Sequence, residues 1–162
     1  MDFIKDVKEF HELFGHKISD SIDISDEKTN KLRVELLSEE IQELSDALED
    51  NDKVEVGDAL CDTMYVLAGA ILSLGYEDKF EAMFNEVHSS NMSKLCENMT
   101  VVEQTLDFYN SKDIGVSYKP VDENDPNTKY IIYRLLDGKI LKSVNYRPAN
   151  LGSIINEYST RS

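Results

Sequence analysis

The sequence predicts an all-α fold, an antiparallel helical bundle with a small β-hairpin extension at its C-terminal end. Three observations carry this. Apolar residues recur at helical spacing in four successive segments ahead of Thr100, short polar breaks separate those segments, and the periodicity stops after Asp113. The chain accordingly divides into a helical domain over 1–112 and an extension over 113–162 that carries the hairpin and a short helix.

The first helix is expected over 2–14, with Phe3, Val7, Phe10 and Phe14 one to two turns apart and Gly15 ending it. Asp26 suits the N-cap of a long second helix, in which Val34, Leu37, Ile41, Leu44 and Leu48 share one arc as the apolar face. Lys31 and Arg33 on this helix read as surface charges pairing with Glu35 or Glu27 in preference to phosphate contacts. The stretch EDNDK breaks the helix, and its shortness makes the flanking helices antiparallel neighbours. The third helix, over 53–74, presents Val56, Leu60, Met64, Leu67 and Ile71 on one face and is apolar nearly all round beyond Asp62, as a central buried helix is. Gly75 closes it.

A fourth helix follows over 77–97 with Phe80, Phe84, Val87 and Leu95 inward, and Asn91 interrupts that face. An amide there is either a satisfied structural group or a ligand-binding one, and Lys94 one turn on favours binding. Thr100 and Glu103 form a capping-box pattern for a short fifth helix. Beyond Asp113, KYIIYRLL and KILKSV flank Asp137 and Gly138 and read as the hairpin. Arg134, Lys139, Lys142 and Arg147 make this a basic stretch, either a solvated cover for the bundle edge or an arm reaching toward phosphates. A last helix is expected over 151–158.

The chemistry concentrates around the break between the second and third helices. Glu40 and Glu43 flank the apolar arc beside Leu36 and Ala47, whereas Asp46 points away. On the third helix Glu55, Asp58 and Asp62 stack on successive turns of one face. Acidic faces are ordinarily solvated, but these two groups flank one short turn on half-buried arcs. Bringing five acids together costs several kcal/mol unless cations hold them (about 3–5 kcal/mol for one uncompensated buried charge). Mg²⁺, with Mn²⁺ as the alternative, fits an all-oxygen donor set that leaves room for water and phosphates.

In these residues the sequence resembles the all-α nucleoside triphosphate pyrophosphohydrolases, the superfamily of MazG-like proteins, dimeric dUTPases and phosphoribosyl-ATP pyrophosphohydrolase. Its pattern E-E-x-x-E followed by E-x-x-D stands here as Glu39, Glu40 and Glu43, then Glu55 and Asp58, with Asp62 one turn later. The resemblance continues through EVHSSNMSKL, and DGKILKSVNYRPANL is similar to the C-terminal extension of one bacterial and viral branch. It implies a bundle of the all-α NTP pyrophosphatase type that cleaves a nucleoside triphosphate to the monophosphate and pyrophosphate. It further implies metal held by Glu40, Glu43, Glu55, Asp58 and Asp62, a general base at Glu39 or Glu40, substrate phosphates on Asn91 and Lys94, and a homo-oligomer, dimer or tetramer.

The formal net charge of -15 argues against nucleic acid or an anionic membrane as partner. Bound Mg²⁺ would reverse that field locally for a nucleotide. Cys61 and Cys96 lack metal-ligand spacing, and His11, His16 and His88 are scattered, which suits structural or exposed roles. The apolar run over 64–74 is short for a bilayer, and a cytoplasmic location is expected. Two other functions stay open: hydrolysis of phosphoribosyl-ATP in histidine synthesis, and a non-enzymatic acidic interaction protein that imitates nucleic acid.

Overall fold

A computed structural model describes residues 2–156 of the chain. Its elements are α1 (Phe3–Phe14), α2 (Glu27–Glu49), α3 (Lys53–Ser73), α4 (Glu77–Met92), α5 (Met99–Asn110), β1 (Val116–Pro120), β2 (Tyr130–Arg134) and α6 (Leu151–Asn156). They fall into two compact units, Met1–Glu81 and Ala82–Ser162, with the division inside α4 and well ahead of the change of character at Asp113.

In the first unit α3 packs against both α1 and α2. Val7, Ala68 and Leu72 form the core, with Ile4 beside them. Each helix starts on a side chain that accepts an otherwise unpaired amide: Asp2 from Lys5, Asp26 from Thr29, and Asp52 from Val54 and Glu55. The α2–α3 turn is tight because Asn51 takes a left-handed φ of 55°, which asparagine tolerates. The connection over 15–26 is polar in sequence but tied down. Ser19 and Asp23 donate their amides to the Leu72 and Leu74 carbonyls at 3.0 and 3.1 Å, and the Ser19 hydroxyl donates to the Ser73 carbonyl. Gly75 makes this possible, since its φ is 75° and an added Cβ would stand 1.9 Å from the Ser21 carbonyl oxygen.

The buried stripe of α2 is not the expected arc. Val34, Ile41 and Leu48 are 64%, 55% and 60% exposed, while Arg33 and Ala47 are buried and Leu36, Leu37, Glu40 and Leu44 are half-buried. Helical spacing defines stripes but not which of them a neighbour covers, and α3 covers the adjacent one. α3 itself is buried at Ala59 and then from Ala68 to Ser73, and Leu60, Met64 and Leu67 are exposed. Phe3 and Phe14 of α1 are exposed too. At 21 residues and a hydropathy of 1.3, α3 meets the length and composition of a membrane-crossing helix, a longer span than 64–74. Its three acids speak for a bundle helix, since a carboxylate at mid-bilayer costs about 2.5–3.5 kcal/mol.

The second unit is built on α5 and a two-stranded antiparallel sheet, whose register pairs Tyr118 with Ile132. Cys96, Val101, Val102 and Ile132 form its core. α4 stops at Met92, short of the expected 97, and Cys96 instead exchanges backbone hydrogen bonds with Tyr130. Asn98, and not Thr100, caps α5. The expected hairpin around Asp137 and Gly138 is corrected as well. β2 pairs with VSYKP across a long polar loop, and the run after Gly138 makes a single bridge, Tyr133 to Ile140. The turn forms, with Asp137 accepting from the Lys139 amide, but the chain then leaves the sheet. Ser143 donates to the Ser93 carbonyl and the Val144 amide to Thr105, which draws the segment toward α5 and the chain after α4. α6 covers Leu151–Asn156; the rest of the expected 151–158 helix lies outside the described residues.

Candidate metal centre on the acidic helical hairpin

The α2–α3 hairpin carries all six predicted acids of the first unit. Glu39, Glu40 and Glu43 lie on α2, and Glu55, Asp58 and Asp62 on α3. The short turn runs the helices antiparallel and sets the two groups side by side. Glu40 is central. It is half-buried, and its Oε2 is covered without a hydrogen-bond partner. Burial pushes its carboxyl above the ordinary value, and the charges of Glu43, Asp62, Glu39 and Asp58 push it further.

Four of the five other acids thus act on one carboxylate. Glu55, exposed in the first turn of α3, is not among them. Among the described residues no three His, Cys, Asp or Glu side chains converge into a group that could hold a metal ion. The expected convergence of Glu40, Glu43, Glu55 and Asp58 is therefore an approach of charges and not a formed cage. Glu39, Glu43, Asp58 and Asp62 are exposed, so water screens their mutual repulsion. A cation nonetheless fits these residues. A covered carboxylate oxygen without a donor, with further carboxylates acting on it, has the chemistry that Mg²⁺ or Mn²⁺ satisfies.

Behind the acids on the same stripe of α2 stands Arg33, which is 8% exposed. Its Nη2 donates to Ser73 Oγ at 2.6 Å, Ser73 donates to the Lys17 carbonyl, and His11 Nδ1 meets that carbonyl at 3.0 Å. Gly69 gives the two side chains room, since a Cβ there would stand 3.0 Å from Arg33 Nη1 and 3.1 Å from His11 Nε2. The expected surface pairing of Arg33 is thus corrected, while Lys31 does pair with Glu35 at 3.5 Å. Burial lowers the pKa values of both Arg33 and His11. The signal for a buried Arg33 was its position on the Leu36, Leu37 and Glu40 stripe.

Asn91 and Lys94 lie in the second unit, at the end of α4 and just beyond it. Lys94 Nζ donates to Asn91 Oδ1 at 2.7 Å. Asn91 is exposed and so does not interrupt a buried face. Two concavities of the first unit hold none of the six acids: an apolar groove of about 330 Å³ lined in part by Phe3, Val7, Leu60 and Met64, and a polar one of about 420 Å³ beside Lys8 and Glu77.

An uncharacterised protein of Acanthamoeba polyphaga mimivirus is 24% identical to this chain, the alignment covering 92% of the chain and 94% of the relative. The family model for phosphoribosyl-ATP pyrophosphohydrolase matches residues 7–91, just over half of the chain and a range that includes the α2–α3 hairpin. The chain therefore belongs to the phosphoribosyl-ATP pyrophosphohydrolase family, within the superfamily of MazG-like nucleotide pyrophosphohydrolases.

Proposed function

We propose that this protein is a Mg²⁺-dependent pyrophosphohydrolase that cleaves a ribo- or deoxyribonucleoside triphosphate to the monophosphate and pyrophosphate. The covered, partnerless oxygen of Glu40 amid four further acids is the observation that supports it best. Glu40, Glu43, Glu55 and Asp58 would hold the ion, with Asp62 completing its surroundings; Mn²⁺ would serve the same donor set. Such an ion supplies neutralisation of phosphate charge and a more acidic bound water. Whichever of Glu39 and Glu40 is left unsaturated takes the proton from the attacking water. Asn91 and Lys94 steady the phosphates.

The substrate has a second reading, phosphoribosyl-ATP, which the family match favours. Both substrates lose pyrophosphate by the same displacement. A panel of canonical and modified nucleotides together with phosphoribosyl-ATP, incubated with Mg²⁺ and resolved by product, distinguishes them. Asp58→Asn should lower turnover by at least about a hundredfold, while Asp46→Asn leaves it unchanged, since Asp46 is exposed and accepts from Gln42. Release of no pyrophosphate from any nucleotide overturns the function, and full activity in Asp58→Asn overturns the site.

We further propose that a second copy of the chain covers the exposed apolar stripes of α2 and α3, Val34, Ile41 and Leu48 with Leu60 and Met64. An active monomer in sedimentation at micromolar concentration counts against it.

A further inference from the structure

In the second unit, Lys94 and Lys142 both act on Tyr146. Lys94 Nζ donates to Asn91 Oδ1, and Lys142 Nζ stands 4.1 Å over the ring of Tyr146. The buried Ser90 hydroxyl has two acceptors within reach, the Arg147 carbonyl at 2.8 Å and the Tyr146 hydroxyl at 3.2 Å. The Ser90 hydrogen bond holds the phenol below its ordinary pKa, and the charges of Lys142 and Lys94 act in the same direction. Two ammonium groups therefore act on one hydroxyl. Neither is in an ion pair among the described residues, whereas Lys129 of the same unit pairs with Glu97 at 2.9 Å.

Among the described residues the ion pairs take up Lys8, Lys17, Lys31, Lys129 and Arg134, and leave Lys94 and Lys142 open to an anion. The segment that brings them together is also fastened. The Arg147 amide donates to Ser93 Oγ at 2.9 Å, and Ser143 donates to the Ser93 carbonyl at 3.1 Å. Because Asn91 Oδ1 is engaged by Lys94, its amide NH₂ is turned to donation. The cluster offers two charges and two directed donors, the set that a phosphate chain accepts.

We propose that Asn91, Lys94, Lys142 and Tyr146 form one site for a phosphate chain, the C-terminal segment adding Lys142 and Tyr146 to the pair at the end of α4. The inference rests on the reading of Asn91 and Lys94 as phosphate-binding residues. Its ligand is a pyrophosphate group, either within the substrate or as released product.

Calorimetric titration of the full chain with inorganic pyrophosphate, without divalent ions, tests the site apart from the acidic hairpin. The parent should bind. Lys94→Gln and Lys142→Gln should each weaken binding about tenfold, the loss of one charge-assisted hydrogen bond, and Tyr146→Phe about threefold. Lys129→Gln removes the same charge from an ion-paired position and should change nothing. In hydrolysis assays, a raised KM in Lys142→Gln assigns the group to the substrate, and weakened product inhibition alone assigns it to released pyrophosphate. Loss confined to Lys94→Gln overturns the part of the C-terminal segment. A parent that binds no pyrophosphate, or equal loss in Lys129→Gln, overturns the site, while hydrolysis at the acidic hairpin is judged separately by Asp58→Asn.

Discussion

Arg33 donates from Nη2 to the Ser73 hydroxyl across 2.6 Å, so a guanidinium buried against α3 is met by a neutral acceptor. A buried charge without a counter-charge is weak evidence for stability, and an apolar residue of similar volume often does as well. Arg33→Met is expected to unfold in urea no earlier than the parent. Ser73→Ala strands the guanidinium and should cost about 1–3 kcal/mol. The order reversed, with Arg33→Met the more damaging, would mean that the charge itself has a partner.

The same interior makes the protein sensitive to mild acid. Burial holds His11 below its ordinary value of 6.5, the Lys17 carbonyl opposes this, and Arg33 and His16 reinforce it. The unfolded chain binds this proton more readily than the native one. Stability is therefore fully present above about pH 6.5 and is lost as pH falls through the depressed native value. Melting curves across this range should show a smaller fall for His11→Asn than for the parent, and equal falls would remove His11 as the cause.

Glu40 behaves in the opposite sense. Burial first, and then its acidic neighbours, raise its carboxyl above the ordinary 4.5. The stabilisation is complete below that value and is lost as pH rises through the raised native one. Without divalent ions at neutral pH, Glu40→Gln should thus melt above the parent, and the gap should close in acid. Added Mg²⁺ should stabilise the parent more than the variant. An undiminished gain in Glu40→Gln excludes Glu40 from the cation site, and no gain in the parent favours the acidic interaction protein instead.

Gly75→Ala adds a Cβ in a left-handed conformation, 1.9 Å from the Ser21 carbonyl oxygen. Conformation alone costs about 1–2 kcal/mol. Gly138→Ala isolates that contribution, because Gly138 has a φ of 72° with nothing near its absent side chain. Thermal melting should place the Gly75 variant well below the Gly138 variant. Equal losses would show that the 19–23 segment moves aside freely.

Helix positions were legible where a local signal fixed them. Asp26, Asn51, Gly15 and Gly75 each mark an end through chemistry within a few residues of it. Spacing alone does not say which stripe of an amphipathic helix meets a neighbour; it makes Arg33 a surface charge and Ile41 a core residue, where the structure has the reverse. The acids were legible as a group because one short turn joins their helices, whereas the prominence of Glu40 depends on which carboxylate α3 covers. No local signal marks the strand VSYKP, whose partner lies across a polar loop, and the Asp-Gly turn points to the other side of β2. Lys142 and Tyr146 are brought to Asn91 and Lys94 by contacts spanning some fifty residues of chain, such as that between Ser90 and Arg147, which no local pattern encodes.

The two amides that the 19–23 connection gives to the last carbonyls of α3 make that loop part of the helix in a thermodynamic sense. Opening the connection releases the Leu72 and Leu74 carbonyls, so loop and helix end come apart as one cooperative unit. In native-state hydrogen exchange, Ser19 and Asp23 should carry the opening free energy of the third helix's final turn, and a protease should find this polar stretch as resistant as the helix it closes.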